Sequence, residues 1–299
     1  MVVEEFIDYI GIQKRYSKRT LHLYSDYVKE LREFISPEGD DEFLGELKPQ
    51  VIRGFISAGL ESGLSSRTVN LKLSAISSFC NYLQRAGKIE ANPVKKVHRP
   101  KSSAKLPLFY TENSLANYLS NEVENGNFLS LRDRTMVLLL YTTGIRRAEL
   151  ASMNISQWDK ERRVIRVNGK GDKEREIPVT EELDKALKIY EAEMKEFYSE
   201  NRYDKLFLTD SGQPLYLSFV NKVVKRELSS VKGFTGKKSP HVLRHSIATH
   251  LLNNGADLNS IKEVLGHSSL AATQVYTHNS FEQMKKIFLT AHPRAKKGG

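Results

Sequence analysis

Residues 143–150 read Thr143-Gly144-Ile145-Arg146-Arg147-Ala148-Glu149-Leu150, directly behind the apolar run Met136 to Tyr141. The run has the composition of a buried helix, the glycine ends it, and the residues beyond Gly144 open a new helix. Arg146 thus stands at a helix start, where free backbone N–H groups and the helix dipole already favour an anion. A guanidinium there suits a phosphate. The plainer reading is a surface arginine paired with Glu149, three residues on.

Downstream, Val164 to Val167 and Glu174 to Val179 are β-like runs on either side of Asn168-Gly169-Lys170-Gly171-Asp172-Lys173, which predicts a hairpin presenting two lysines. Helical spacing returns at 181–198, 217–228, 241–253 and 258–265, the last stopped by Gly266. In His241-Val242-Leu243-Arg244-His245 the two histidines and the arginine share one helix face, while Ile247, Ala248 and Leu251 continue toward the core. His241 and His245 have the spacing of paired zinc ligands, but Val242 stands where a metalloprotease helix needs its glutamate. No metal is expected. His267 comes just past the Gly266 stop, and Tyr276 closes a short helical run, Leu270 to Val275. A lone tyrosine would be read as core. A phenol with a pKa of about 10 becomes a useful nucleophile only when its proton is taken and the charge of its target is neutralised. Two arginines, a lysine and histidines are the residues for that task.

Upstream, Lys95, Lys96, Arg99, Lys101 and Lys105 lie between Pro93 and Pro107 with no acidic residue, and three prolines oppose regular structure there. The stretch 95–107 reads as a basic linker, serving as a solvated tether, as a strap over a phosphate backbone, or as both. Before it the pattern is helical throughout, with Phe6, Tyr9 and Ile10 first and then Tyr24, Tyr27, Val28 and Leu31. Val69, Leu73, Ile76, Cys80 and Leu83 mark the inner stripe of a helix capped near Ser65 or Ser66 and ended around Gly87. The expected organisation is a helical domain at 1–94, the linker, and at 108–299 a mainly helical body carrying a small antiparallel sheet.

Bulk properties agree with two cores in 299 residues that are 39% hydrophobic. The formal charge of +10 and pI near 9.4 suit a polyanionic partner without requiring one. The longest apolar run is far short of the roughly 18 residues of a membrane span, and the start Met1-Val2-Val3-Glu4-Glu5 lacks the basic opening of a signal peptide. A cytoplasmic location is expected. The single cysteine cannot form an internal disulfide.

Taken in order, Arg146, Lys170, His241-x-x-Arg244, His267 and Tyr276 resemble the signature of the tyrosine recombinase (phage integrase) family, and the chain is similar in size and layout to its bacterial Xer-type members. The resemblance implies a SAM-like core-binding domain followed by an α+β catalytic domain. It implies strand cleavage by Tyr276 through a 3′-phosphotyrosyl intermediate, with Arg146 and Arg244 on the non-bridging phosphate oxygens and Lys170 protonating the 5′-oxygen; Lys173 competes for that last role. His241 would act as acid, base or phosphate ligand, His267 as a further phosphate donor, and Glu149 and His245 in support. No cofactor is needed. The implied partners are double-stranded DNA with an inverted-repeat site and further copies of the chain in a dimer and tetramer that pass through a Holliday junction, with a partner recombinase or accessory factor left open. A type IB topoisomerase would use the same chemistry without site-specific exchange. The terminal stretch Phe281, Met284, Ile287, Phe288 has helical spacing; it packs on its own domain or, as the resemblance implies, on a neighbouring protomer, in which case deleting Phe281 to Gly299 should spare folding.

Overall fold

The computed structural model describes residues 1–101, 108–120, 127–169, 174–198, 204–266 and 278–295, with side chains from 285 onward in the last segment. The chain divides into two compact units, Met1–Leu106 and Pro107–Gly299.

The first unit contains helices α1 (Val2–Ile12), α2 (Lys18–Ile35), α3 (Asp40–Gly45), α4 (Pro49–Glu61) and α5 (Ser66–Arg85). The start of α5 is fixed by Ser65, whose Oγ accepts from the Thr68 amide at 3.2 Å, and its end lies just before Gly87, at φ +70°. The stripe Val69, Leu73, Ile76, Cys80 and Leu83 is buried as its spacing predicts, against Phe6, Ile10, Val28 and Ile52. Burial pushes the Cys80 thiol up to about 12, so this sulfur is a core methyl equivalent, not a nucleophile.

The expected linker departs from expectation in its first half. Pro93–Lys96 forms a 3-10 turn, because proline suits the first position of a helical turn and Asn92 caps it by accepting from the Val94 amide. Val94 is buried, the Asn92 amide donates to Ser77 and Asn81, Asn70 donates to the Pro100 carbonyl, and Arg99 donates to the Asn70 carbonyl and Ser74. The chain is therefore lashed to α5 as far as Pro100. Lys95, Lys96, Arg99 and Lys101 are exposed on it, and Lys105 lies outside the described residues.

In the second unit α6 (Glu112–Ser120) precedes α7 (Phe128–Thr143), which is buried on nearly every face from Thr135 to Thr143. A helix apolar all round belongs at the centre of its domain. Near its start Arg132 is fully buried and satisfied by Asp133 of the same helix at 2.9 Å, the Leu208 carbonyl at 3.2 Å and Asp210 at 2.7 Å. After the short α8 (Arg147–Ser152) come β1 (Trp158–Asp159), β2 (Val164–Asn168) and β3 (Glu174–Pro178), an antiparallel sheet in the order β1-β2-β3 with Ile165 opposite Ile177 and Val167 opposite Arg175. The hairpin is as expected; β1 was not anticipated, since two residues show no alternation. Helices α9 (Glu181–Phe197), α10 (Leu217–Glu227), α11 (Pro240–Asn253), α12 (Leu258–Leu265) and α13 (His278–Ala291) complete the unit.

α13 packs on α11, α12 and β3 of its own chain, with Phe288 and Ala291 buried in the common core. His292, for which no motif argued, is wholly buried: its Nε2 donates to the Thr142 carbonyl at 2.9 Å and its Nδ1 accepts from the Arg294 amide. No described helix is long and apolar enough to cross a membrane.

Candidate active site

Gly144 ends α7 in the left-handed conformation, at φ +61°, and turns the chain into Arg146, the residue that caps α8. The turn is closed from the far side of the domain. Arg244, one turn into α11, is 8% exposed and donates through Nη1 to the Gly144 carbonyl at 2.6 Å, and through Nη2 to the Leu265 carbonyl at the end of α12. Arg146 donates through Nη2 to the next carbonyl, that of Gly266. Two guanidiniums from distant sequence thus meet at one helix C-terminus, whose partial negative charge holds them side by side.

Glu149 serves both readings given for it. Its Oε2 accepts from the Arg146 amide at 2.7 Å, closing the first turn of α8, and its Oε1 accepts from Arg146 Nη1 at 2.8 Å. The pairing with Arg146 is real, yet it leaves the arginine partly exposed and other guanidinium N–H groups available. Burial raises the Glu149 pKa, but hydrogen bonds from Arg175 and Arg146 outweigh it and leave the carboxyl below its ordinary value. For Arg244, burial first and repulsion from Arg146 next push the pKa down to about 10, which still leaves it cationic at neutral pH.

The second arginine near Glu149, Arg175, was missed in the sequence. It reaches from β3 to make a bidentate pair with Glu149, at 3.0 and 2.8 Å, and its Nε donates to the Val264 carbonyl at 2.9 Å. The signal available was slight: an arginine between two glutamates on a predicted strand, in a register that alternates inward and outward.

His241 is exposed at the first turn of α11, and His245 is half-buried with its ring edge-on to Phe109. His250, farther along α11, is structural: Nδ1 accepts from the Tyr141 hydroxyl at 2.9 Å and Nε2 donates to the Tyr110 carbonyl at 2.7 Å. Lys170, Lys173, His267 and Tyr276 lie outside the described residues. Their chain neighbours do not: β2 ends at Asn168 and β3 begins at Glu174, and Gly266, whose carbonyl accepts from Arg146, follows Leu265, whose carbonyl accepts from Arg244. Among the described candidates, Arg146, Arg244 and Glu149 are brought together, and His241 shares the helix that carries Arg244. Chemically this is a cationic cradle of fixed donors with one carboxylate behind it, suited to binding a phosphate and to stabilising further negative charge on it.

Comparisons with known proteins bear on the same features. Residues 111–283 match the phage integrase family, and residues 3–87 match its N-terminal SAM-like domain. The chain is 36% identical over 296 residues to the tyrosine recombinase XerC of Bacillus subtilis, covering 98% of this chain and 96% of that protein. XerC of Proteus mirabilis is 34% identical over 298 residues, covering 99% and 95%. Among solved structures, XerH recombinase bound to a palindromic difH substrate superimposes with a TM-score of 0.70 at 23% identity, covering 95% of this chain and 82% of that one. The Tn1549 transposon integrase bound to transposon right end DNA gives a TM-score of 0.70 at 19% identity, covering 95% and 98%. At these identities the structural likeness concerns the fold.

Proposed function

This chain belongs to the phage integrase family, as a tyrosine recombinase that cleaves and rejoins DNA strands, and from that premise we propose that Tyr276 is its nucleophile and that Arg146, Lys170, His241, Arg244 and His267 serve the phosphate it attacks. The observation that carries the assignment is the convergence of Arg146 and Arg244 on the Gly144 turn and the last carbonyls of α12, immediately before His267.

In this reading the Tyr276 oxygen attacks phosphorus, the phenolic proton passes to a base, and the bond from phosphorus to the 5′-oxygen breaks as that oxygen takes a proton from Lys170 or Lys173. The non-bridging oxygens gain charge in the transition state, and the two guanidiniums, already ordered, meet it with donors that need not reorganise. His241, exposed at the helix start, and His267 add donors or move protons, while His245 supports α11 and Glu149 holds Arg146 in place. The phosphodiester energy stays in the 3′-phosphotyrosyl bond until a 5′-hydroxyl of the exchanging strand reverses the step, so neither metal nor nucleotide is called for.

The wider assembly follows the same reading: inverted-repeat duplex DNA, two and then four copies of the chain, exchange through a Holliday junction, and a cytoplasmic setting where a partner recombinase or accessory factor can join. The basic stretch Lys95, Lys96, Arg99, Lys101 and Lys105 would follow the phosphate backbone. Site-specific exchange is favoured over topoisomerase-like relaxation by relatives at 36% and 34% identity that are both recombinases across nearly their whole length.

A nicked suicide substrate tests the nucleophile. Wild type should accumulate a covalent protein–DNA adduct and Tyr276→Phe should form none; an adduct that survives the substitution would falsify the assignment. Arg146→Ala and Arg244→Ala should each slow adduct formation by roughly 10²–10³ or more, the range for removal of one preorganised donor.

A further inference from the structure

Arg175 occupies a place that a salt bridge alone does not explain. It is 12% exposed, and each of its three guanidinium nitrogens is committed: Nη1 and Nη2 to the two oxygens of Glu149, Nε to the Val264 carbonyl. Its guanidinium also packs against Gly266. A Cβ built on that glycine, which has φ +65°, would come within 3.1 Å of Arg175 Cζ and Nη1, closer than an ordinary contact, so a side chain there would press on the guanidinium. The carbonyl of the same Gly266 accepts from Arg146. One side chain of β3 therefore touches α8 through Glu149, which accepts from Arg146, and the end of α12 through Val264 and Gly266, beside the carbonyls that accept from Arg146 and Arg244.

The chain order gives that junction its meaning. Arg175 stands two residues after Lys173 and five after Lys170, on the strand by which the lysine-bearing hairpin is attached. We propose that Arg175 is a positioning residue for strand cleavage, docking β3 against the arginine cradle so that the hairpin lysine is delivered to the 5′-oxygen leaving group. The inference rests on the phosphotyrosyl reading above. Lysine at this position would keep the charge but lose the bidentate fork and the third bond to Val264, leaving the strand attached at one point instead of three.

The leaving group supplies a test that a merely structural role would not pass. Replacing the bridging 5′-oxygen at the scissile phosphate by sulfur makes the departing group a thiolate, which leaves without being protonated. Wild type, Arg175→Lys and Arg175→Met would be compared in single-turnover cleavage of the oxygen and sulfur substrates, alongside DNA affinity and thermal melting. We expect DNA affinity within about two-fold of wild type, oxygen-substrate cleavage slowed about 10–100-fold, the usual effect of removing an outer support of an active-site group, and at least ten-fold of that loss recovered on the sulfur substrate. Melting curves identify variants that retain the fold, and Arg175→Lys keeps the comparison available if Arg175→Met does not. A sulfur-substrate adduct with wild type that is absent from Tyr276→Phe secures the underlying chemistry independently. With that control in hand, equal losses on the two substrates, or wild-type rates in a folded variant, would overturn the role of Arg175 alone.

Discussion

Gly144 shows how much can hang on one missing Cβ. Its φ of +61° is unfavourable for other L-residues, and a methyl group there would lie 2.5 Å from Leu265 Cδ2 and 3.1 Å from Ile247 Cγ2. The left-handed conformation costs about 1–2 kcal/mol and the overpacking a further 1–3 kcal/mol. Gly144→Ala should therefore lower unfolding free energy by roughly 2–5 kcal/mol in urea titration and slow adduct formation as well, because the carbonyl that orders Arg244 belongs to the displaced turn. A variant as stable as wild type would show that the turn relaxes without strain. Arg146, Arg244 and their order were legible in the sequence, because their spacing from helix starts is local information. That both would be fastened to the carbonyls of α12 was not, and neither was Arg175, since its partner Glu149 is contributed by a different element.

Among the elements, α5 and α12 were readable to within a residue because cap and stop are written beside the apolar stripe: Ser65 and Gly87 for one, Asp257 and Gly266 for the other. The tail was less so. Helical spacing in α13 is evident, but Phe288 and His292 enter the core beside α7, α11 and α12, a packing that no local pattern announces. Deletion of Phe281 to Gly299 would empty those places, so the expectation that it spares folding gives way to a loss of stability. His292 also sets a pH dependence. Burial, only partly offset by its bond to the Thr142 carbonyl, lowers its pKa from 6.5 to about 4, and burial likewise lowers that of His250. A histidine kept neutral by folding binds fewer protons folded than unfolded, so its stabilising contribution is complete above pH 6.5 and is lost as pH falls from there toward 4. The His292 share of that loss is roughly 3 kcal/mol from the shift at 1.36 kcal/mol per unit. Urea titrations at pH 7.5 and 5 should show the decline, and His292→Asn should make it shallower; a slope unchanged by that substitution would place the effect elsewhere, with His250 the next group to examine.

At the scale of the whole molecule, the net charge of +10 was the least specific observation in the sequence and becomes useful once its carriers are placed. Lys95 and Lys96 are exposed on a segment that is fastened to α5 as far as Pro100, so they form part of the first unit's surface and are not beads on a loose tether. Replacing Lys95 and Lys96 by alanine should weaken DNA binding almost equally for all sequences and reduce the slope of log affinity against log salt by about one for each phosphate no longer neutralised. Filter-binding or anisotropy titrations across salt concentrations measure that slope, and an unchanged value would remove these lysines from the interface. Arg99 is a poorer subject for the same experiment, because its bonds to Asn70 and Ser74 make it a brace for α5 as well as a cation.

Cys80 is fully buried in the first unit, with its thiol pushed up to about 12. As the sole cysteine, it leaves the native chain effectively silent to thiol-directed reagents under conditions that keep it folded. A single cysteine introduced on the surface away from the basic stretch, for example in place of the exposed Glu193 on α9, would then carry a fluorophore at one known position. Strand synapsis and exchange could be followed by distance-dependent energy transfer without first engineering away a competing site.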